Sequence, residues 1–254
     1  MNPAGVNLTV VIPTFNEAEN LPELLAQLDW VGEVIVIDSY STDITPELAR
    51  AAGAKFLQRK LDTLGLQKNY AIERASHPWV LIIDADERLT PALAEEIRTT
   101  VEHNDPNVVG YEVYRQNFFL GKPISYGGLQ RDKVIRLIRR GELAYDNKQV
   151  HESIRSDKPT GRLNNKLQHY TYRGLSHYIQ KNEKYALWSA DDHAARTSRV
   201  GVYHLLFKPV WRFFTQYILK MGFRDGRAGL IFCAVASWGV FLRYAFLVER
   251  EANG

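Results

Sequence analysis

Three short apolar runs, each followed by polar and acidic residues, constrain the fold of this chain more than any other feature. Residues 7–12, 33–38 and 79–83 are rich in valine and isoleucine. Continuous apolar runs of this length are typical of strands that are buried on both faces of a sheet. We therefore predict an α/β fold with a mostly parallel sheet and helices on both of its faces.

Segments with a helical spacing of apolar residues separate these runs. Thr90 and Pro91 follow the third run and are typical of a helix start, with threonine as the cap and proline in the first turn. Ligands of such sheets bind beyond the carboxyl ends of the strands, so the residues that follow each run are the candidates for chemistry. Helices are predicted over residues 17–28, 42–52 and 64–74, and a short strand over 55–58.

The pattern changes after residue 108. Residues 108–115 and 133–140 have the composition of strands, and a glycine-rich loop rather than a long helix joins them, which indicates antiparallel pairing. A long helix is predicted over residues 176–196. We divide the chain into a domain over 1–196, with halves over 1–107 and 108–196, followed by a helical tail, 197–254.

The charge of the chain is distributed unevenly. The net charge of its 254 residues is +3, but residues 1–110 contain 8 Lys and Arg against 17 Asp and Glu, whereas residues 111–254 contain 24 against 12. Carboxylates in the first part are candidates for holding a metal ion, and the basic remainder for meeting an anionic acceptor or phospholipid head groups. No recognisable nucleic-acid-binding motif is present, which argues against nucleic acid as a partner.

Cysteine content and the first residues bear on the compartment. Cys233 is the only cysteine, so an internal disulfide is excluded and a reducing compartment is favoured. Residues 1–8 lack a basic stretch followed by an apolar one, so we expect no signal peptide.

The tail combines a basic stripe with aromatic residues. Positions four apart between 208 and 224 are polar or basic, and most residues between them are apolar, which predicts an amphipathic helix at a membrane surface. Residues 228–242 are uncharged, but a bilayer crossing needs roughly 20 apolar residues. A core helix, an interfacial segment and a re-entrant segment therefore remain open for them, and we expect residues 200–245 to contact the membrane. The stripe consists of Lys208, Arg212, Gln216, Lys220 and Arg224.

Acidic residues follow all three apolar runs. Asp84 and Asp86 stand on alternate positions after the third run, where two carboxylates can present oxygens to one divalent ion. Mg²⁺ or Mn²⁺ held in this way keeps room for substrate phosphates. Asp43 has the simpler interpretation of capping the following helix.

Four motifs in a fixed order resemble glycosyltransferase family 2: VVIPTFNE, DSYSTD, QKNYA and DADE. The usual second motif of that family reads Asp-Asp-Gly-Ser-x-Asp, from which Tyr40 and the single acid Asp38 depart here. The variant motif, together with the stretches 150–152, 169–173 and 220–226, resembles the branch of lipopolysaccharide inner-core β-1,4-glucosyltransferases. The resemblance implies an inverting enzyme of the GT-A fold that takes a UDP-sugar and Mg²⁺ or Mn²⁺. It also implies that 1–196 is the catalytic domain, with a nucleotide-binding half, 1–107, and an acceptor-binding half, 108–196.

The resemblance also implies roles for individual residues. Glu152 corresponds to the catalytic base, Asp86 to a metal ligand, and His169 to a histidine that completes the metal or diphosphate site. A structural hydrogen bond is an equal alternative for His169, and pairing with a nearby arginine is the alternative for Glu152. The nucleotide and its sugar are expected to contact Pro13, Thr14, Phe15, Glu17, Asp38, Lys68 and Asp84.

One base and one metal site are chemically sufficient for the implied transfer. An inverting transfer needs one base to accept the proton of the attacking hydroxyl, and the leaving diphosphate needs positive charge rather than a proton. The implied reaction is transfer of glucose from UDP-glucose to a lipid-linked saccharide, an inner-core heptose of lipopolysaccharide, at the inner face of the cytoplasmic membrane. The alternatives are transfer to polyprenyl phosphate and a non-catalytic nucleotide-binding membrane adaptor. The basic residues 131–140 are further candidates for contact with an anionic acceptor.

Overall fold

A parallel sheet of four strands forms the centre of the first part of the chain. The computed structural model describes residues 5–60, 62–146, 154, 156–172, 174–194, 197 and 199–253. The order of the four strands is β3-β2-β1-β4, and all neighbouring pairs are parallel, as predicted. They are β1 (Val6–Thr14), β2 (Val31–Asp38), β3 (Lys55–Gln58) and β4 (Trp79–Ile82).

Helices cover both faces of this sheet. Side chains alternate along each strand, so Val10 and Ile12 of β1 belong to one core and Val11 to the other. The first core is closed by α1, α2 and α4, and the second by α3. The predicted helices on both faces are therefore confirmed. Their bounds are α1 (Leu21–Leu25), α2 (Thr45–Ala51), α3 (Leu64–Glu73) and α4 (Pro91–His103).

Helices α1 and α2 are shorter than predicted, and before α1 the backbone is bound by side chains at the start of α2 and just before it. The backbone N–H of Glu17 donates to Thr45 Oγ1 at 2.9 Å and that of Ala18 donates to Asp43 Oδ2 at 3.2 Å. These bonds replace the helical pattern over 17–20. The predicted start of α4 is confirmed, since Thr90 Oγ1 accepts from the Leu93 N–H at 3.1 Å.

The second group of strands is largely antiparallel, as predicted. Strand β8 lies between β4 and β6 and is antiparallel to both. Strand β10 pairs antiparallel with the two-residue strand β5 (Glu87–Arg88), which brings His169 opposite Glu87. The remaining strands are β6 (Gly110–Phe119), β7 (Lys122–Ile124), β8 (Lys133–Arg139), β9 (Thr160–Arg162) and β10 (Leu167–His169).

The chain divides into two compact units. Unit 1 comprises Met1–Arg115 and Lys133–His169, and unit 2 comprises Gln116–Asp132 and Tyr170–Gly254. These units describe packing, and their boundaries differ from the functional segments at 107 and 196 that the sequence suggests. That functional division stays a prediction.

Unit 2 is mainly helical. A cluster of Phe119, Ile124, Tyr178 and Ala228 forms one of its cores. By length and composition, the described part of the chain has one helical region suited to crossing a membrane, Gly222–Ala252, although core helices have the same properties. The helices are α5 (Leu175–Ala194), α6 (Lys208–Phe214) with π-helical turns at Tyr203–Phe207 and Thr215–Leu219, a 3-10 turn at Gly222–Asp225, and α7 (Gly226–Asn253).

Candidate active site

The carboxyl ends of β1 and β2 are joined through a buried carboxylate. Thr14 and Asp38 are partners in the parallel register, and Thr14 Oγ1 donates to Asp38 Oδ1 at 3.0 Å. Asp38 is fully buried, and its other oxygen accepts from the Ser41 N–H at 2.8 Å. The carboxylate therefore orders the loop that follows β2. Its predicted contact with the base stays a prediction.

Two aromatic side chains stand exposed on these loops. Phe15 and Tyr40 are each 56% exposed. Tyr40 has a φ of 61° and Asn16 a φ of 55°, both in the left-handed region. The Asn16 side chain accepts from the Thr42 N–H at 2.8 Å and so ties the two loops together. Pro13 and Glu17, also predicted to contact the nucleotide, are partly buried in the same loop region.

The end of β4 carries a second charged group. Asp84 lies within 3.2 Å of the Lys68 ammonium through Oδ1 and is hydrogen bonded to Arg136 through Oδ2. Partial removal from water raises the pKa of the Asp84 carboxyl, but the charges of Arg136 and Lys68 outweigh this and hold the pKa well below its usual range. Asp84 is therefore ionised throughout the physiological range.

Glu87 is the buried acidic member of this charged group. Its side chain has no exposed surface, its Oε1 lies 2.6 Å from Arg136 Nη2, and its Oε2 accepts from the Asp84 N–H at 2.9 Å. Burial raises the pKa of the Glu87 carboxyl, and the charge of Arg136 offsets only part of that rise. Glu87 and Arg136 fix the backbone and side chain of Asp84 from two sides.

Asp86 and His169 meet at the edge of this group. His169 Nε2 lies 3.6 Å from Asp86 Oδ1, and the two side chains are 11% and 22% exposed. A carboxylate oxygen and an imidazole nitrogen are both donors that Mn²⁺ accepts, and Mg²⁺ accepts the former. The pair therefore fits a divalent ion that takes its other ligands from substrate. The described residues contain no group of three or more His, Cys, Asp or Glu side chains arranged for a metal.

Helix α3 connects the two groups. Gln67 Nε2 donates to Ser39 Oγ at 2.6 Å, on the loop after β2, while the next residue, Lys68, reaches Asp84. Both side chains are buried. Asn69 of the same helix exchanges two hydrogen bonds with the backbone of Tyr145. One helix therefore holds the ends of β2 and β4 in a fixed relation.

The structure brings most of the predicted site residues into these two groups. Thr14 and Asp38 share one, and Lys68, Asp84, Asp86 and His169 share the other. Glu152, the predicted base, lies outside the described residues. Sequence reasoning missed Glu87 and misread Arg136, which was grouped with residues facing an acceptor. Arg136 shares one face of its strand with Val134 and Ile138, and this is the signal that was available, since a charge on an apolar face implies an inward position that needs a partner.

The sequence of this chain matches a known protein family. The model of glycosyl transferase family 2 matches residues 9–171. This chain is a family 2 glycosyltransferase. The glycosyltransferase is 31% identical to the lipopolysaccharide core biosynthesis glycosyltransferase LpsC of Rhizobium meliloti (strain 1021), over 96% of its own length and 93% of that relative. It is 27% identical to the uncharacterized glycosyltransferase RT0209 of Rickettsia typhi, over 95% and 86% of the two chains. The predicted family and fold class are thereby confirmed.

Two solved structures resemble the glycosyltransferase at a lower level. Glucosyl-3-phosphoglycerate synthase from Mycobacterium tuberculosis, in complex with Mn²⁺, UDP and glucosyl-3-phosphoglycerate, is 24% identical with a TM-score of 0.37, over 47% of this chain and 46% of that one. Mannosyl-3-phosphoglycerate synthase from Rubrobacter xylanophilus is 21% identical with a TM-score of 0.39, over 44% and 41%. The chain spans less than half the length of each.

Proposed function

We propose that this glycosyltransferase transfers glucose, with inversion, from UDP-glucose to an inner-core heptose of a lipid-linked lipopolysaccharide precursor at the inner face of the cytoplasmic membrane. The observation that carries the proposal is the pair of Asp86 and His169 next to Lys68, Asp84 and Arg136, at the carboxyl end of β4. The Rhizobium relative is a lipopolysaccharide core biosynthesis glycosyltransferase, which supports the choice of acceptor.

The charged group at the end of β4 suits a diphosphate. Asp86 and His169 would hold Mg²⁺ or Mn²⁺, which supplies positive charge to the leaving diphosphate when it is bound. Lys68 contributes a second positive charge on the side of α3, and its ion pair with Asp84 keeps its ammonium in place. Arg136 is engaged by Asp84 and Glu87 and acts by positioning the Asp-x-Asp segment rather than by contacting substrate.

The nucleoside part of the donor is assigned to the loops after β1 and β2. Phe15 offers an exposed ring on which a base can stack, and Pro13 and Thr14 precede it on the strand. Glu17 and Asp38 complete the set, with Asp38 acting at least through the loop that it orders. Glu152 is the proposed base, which accepts the proton of the acceptor hydroxyl as that oxygen attacks the anomeric carbon.

Calorimetric titration of UDP, GDP and CDP, with and without Mn²⁺, tests the donor site. We expect UDP to bind most tightly and to need Mn²⁺, and Asp86→Asn to abolish the effect of the metal. Asp29→Asn is the matched control, since Asp29 is an exposed acid just before β2, at the opposite end of the parallel strands. Loss of nucleotide binding by the wild type under all conditions would favour the non-catalytic adaptor.

A further inference from the structure

A ridge of exposed apolar side chains runs along the helical segment before α7. The six most exposed members are between 57% and 67% accessible. They recur at intervals of three and four residues, which places them on one face of a helical segment. Single proteins rarely leave so large an apolar surface in water unless it binds something. We call this set the apolar ridge: Val202, Tyr203, Leu206, Phe207, Val210 and Trp211.

Two polar side chains and one carbonyl group of the same helical segment bind other parts of unit 2. Lys208 Nζ donates to Tyr244 Oη at 2.7 Å, and Gln216 Nε2 donates to the Gly127 carbonyl at 3.1 Å. The carbonyl of Pro209 accepts from Ser237 Oγ at 2.7 Å. An ordinary surface helix turns its apolar residues inward, whereas this segment also keeps apolar residues on its outer face. The basic stripe predicted from the sequence is therefore only partly exposed.

Beside the ridge lies a group of cations, defined here as the cation cluster: Lys208, Arg212 and Arg243. Arg212 is exposed, and its charge is near enough to Arg243 to lower the pKa of that guanidinium, in addition to the larger effect of burial. Arg243 Nη1 lies 3.4 Å from His193 Nε2, and its Nε is buried without a hydrogen-bond partner. In the part of the chain that the structure describes, no carboxylate forms an ion pair with these three side chains.

We propose that the apolar ridge and the cation cluster form a docking surface for an anionic phospholipid bilayer. The ridge enters the boundary between head groups and acyl chains, with the segment lying in the membrane plane, and the cation cluster binds a lipid phosphate. This rests on the proposed function only in placing the enzyme where a lipid-linked acceptor is found. Trp211 and Tyr203 suit the head-group level, where amphipathic rings are favoured.

Two observations favour this arrangement over others. Only Leu230, Trp238 and Val248 of α7 are exposed large apolar residues, so the free apolar surface lies on the ridge rather than on that helix. Lys208 and Arg212 in the middle of the segment make a crossing by it costly. A symmetric contact between two copies through this face would bring two unpaired cation clusters together, and like charges oppose such an interface.

Flotation with vesicles tests the docking surface. The vesicles are phosphatidylcholine alone, or equal parts of phosphatidylcholine and phosphatidylglycerol. We expect the double variant Phe207→Ser, Trp211→Ser to bind both kinds at least about tenfold more weakly than the wild type. The double variant Lys208→Gln, Arg212→Gln should keep its binding to phosphatidylcholine and lose the preference for phosphatidylglycerol.

Matched controls come from the same chain. Tyr185→Ser with Trp188→Ser removes two aromatics that are 44% and 41% exposed on α5, and Lys166→Gln removes an exposed charge in unit 1. Neither should change vesicle binding. Wild-type binding by the ridge variant, or failure of the wild type to bind vesicles while it dimerises with rising concentration, overturns the proposal.

Titration with UDP separates this inference from the proposed function. The ridge and cluster variants should bind UDP as the wild type does, because none of their residues belongs to unit 1. Vesicle binding without UDP binding leaves the docking surface standing and removes the donor site. UDP binding without vesicle binding leaves the donor site standing and removes the docking surface.

Discussion

Replacing Arg136 with methionine removes the cation on which two carboxylates of the site depend. Arg136 is 4% exposed and Glu87 has no exposed surface, and both Asp84 and Glu87 bind the same guanidinium nitrogen. In the variant, Asp84 keeps its ion pair with Lys68, and Glu87 loses its nearest positive charge. Methionine fills a similar volume, so the change in charge rather than a cavity dominates.

The expected loss of stability is large. Removing one partner from a buried ion pair costs about 3–5 kcal/mol, because the remaining charge stays in the interior without compensation. Asp84 keeps 30% exposure and its contact with Lys68, so the expected loss is about 3 kcal/mol, at the lower end of this range. For a chain of this size that corresponds to a fall in melting temperature of roughly 6–12 °C.

The loss of stability caused by Arg136→Met depends on pH. In the wild type the pKa of Asp84 is lowered, so its contribution to stability is present at neutral pH and is lost as the pH falls through the folded-state pKa. Without Arg136 the pKa of both carboxyls rises, and the folded variant takes up protons more readily than the wild type. The stability deficit should therefore be greater at about pH 7 than at about pH 5.

Urea unfolding followed by circular dichroism at both pH values measures this deficit. Arg136→Lys keeps the charge and should lose less stability than Arg136→Met, and Arg131→Met changes an exposed arginine and should have little effect. A midpoint for Arg136→Met that matches the wild type at neutral pH, or a deficit that grows on acidification, would refute the role assigned to this ion pair.

Three further predictions concern the base, the loop after β1 and the packing of unit 2. Glu152→Gln should keep UDP binding and slow transfer by about 10²–10⁴-fold, measured as release of UDP; turnover near that of wild type excludes Glu152 as the base. Thr14→Val should cost about 0.5–1.5 kcal/mol in urea unfolding, because the buried Oδ1 of Asp38 loses one of its two hydroxyl donors and keeps that of Ser41, whereas Thr99→Val on the outer side of α4 should cost less. Gly222→Ala should lower the melting temperature, since an added Cβ would lie 2.8 Å from Cys233 Sγ and 2.9 Å from the Gln216 carbonyl oxygen. Gly201→Ala is the control, because no atom lies within 4 Å of a Cβ at that position, and equal melting temperatures of the two variants would contradict this prediction.

The central sheet was predictable because its strands are buried on both faces. Runs such as 33–38 have no polar face, and only a covered parallel sheet accommodates them. The location of the charged residues that follow each run was predictable for the same reason, because the carboxyl ends of parallel strands lie at one edge of the sheet. The shortening of α1 was not, because it depends on bonds from Glu17 and Ala18 to residues of the next loop.

Long-range partners explain the other failures. Arg136 is 49 residues from Glu87, and they meet only because β8 lies antiparallel beside β4. The periodicity of 208–224 indicated a helix with two faces, but the packing of Tyr244 and Ser237 of α7 decides which face turns inward. Periodicity gives the presence of two faces, and tertiary contacts choose between them.

The adjacent side chains of Gln67 and Lys68 have a consequence for changing what this enzyme accepts. Gln67 holds the loop after β2, and Lys68 holds the first acid of the Asp-x-Asp pair, so helix α3 joins the two parts of the proposed donor site. If the proposed donor site is right, a redesign that reshapes the loop after β2 for another nucleotide will also displace the Asp-x-Asp segment. Variants selected for a new donor should accordingly accumulate compensating changes along α3.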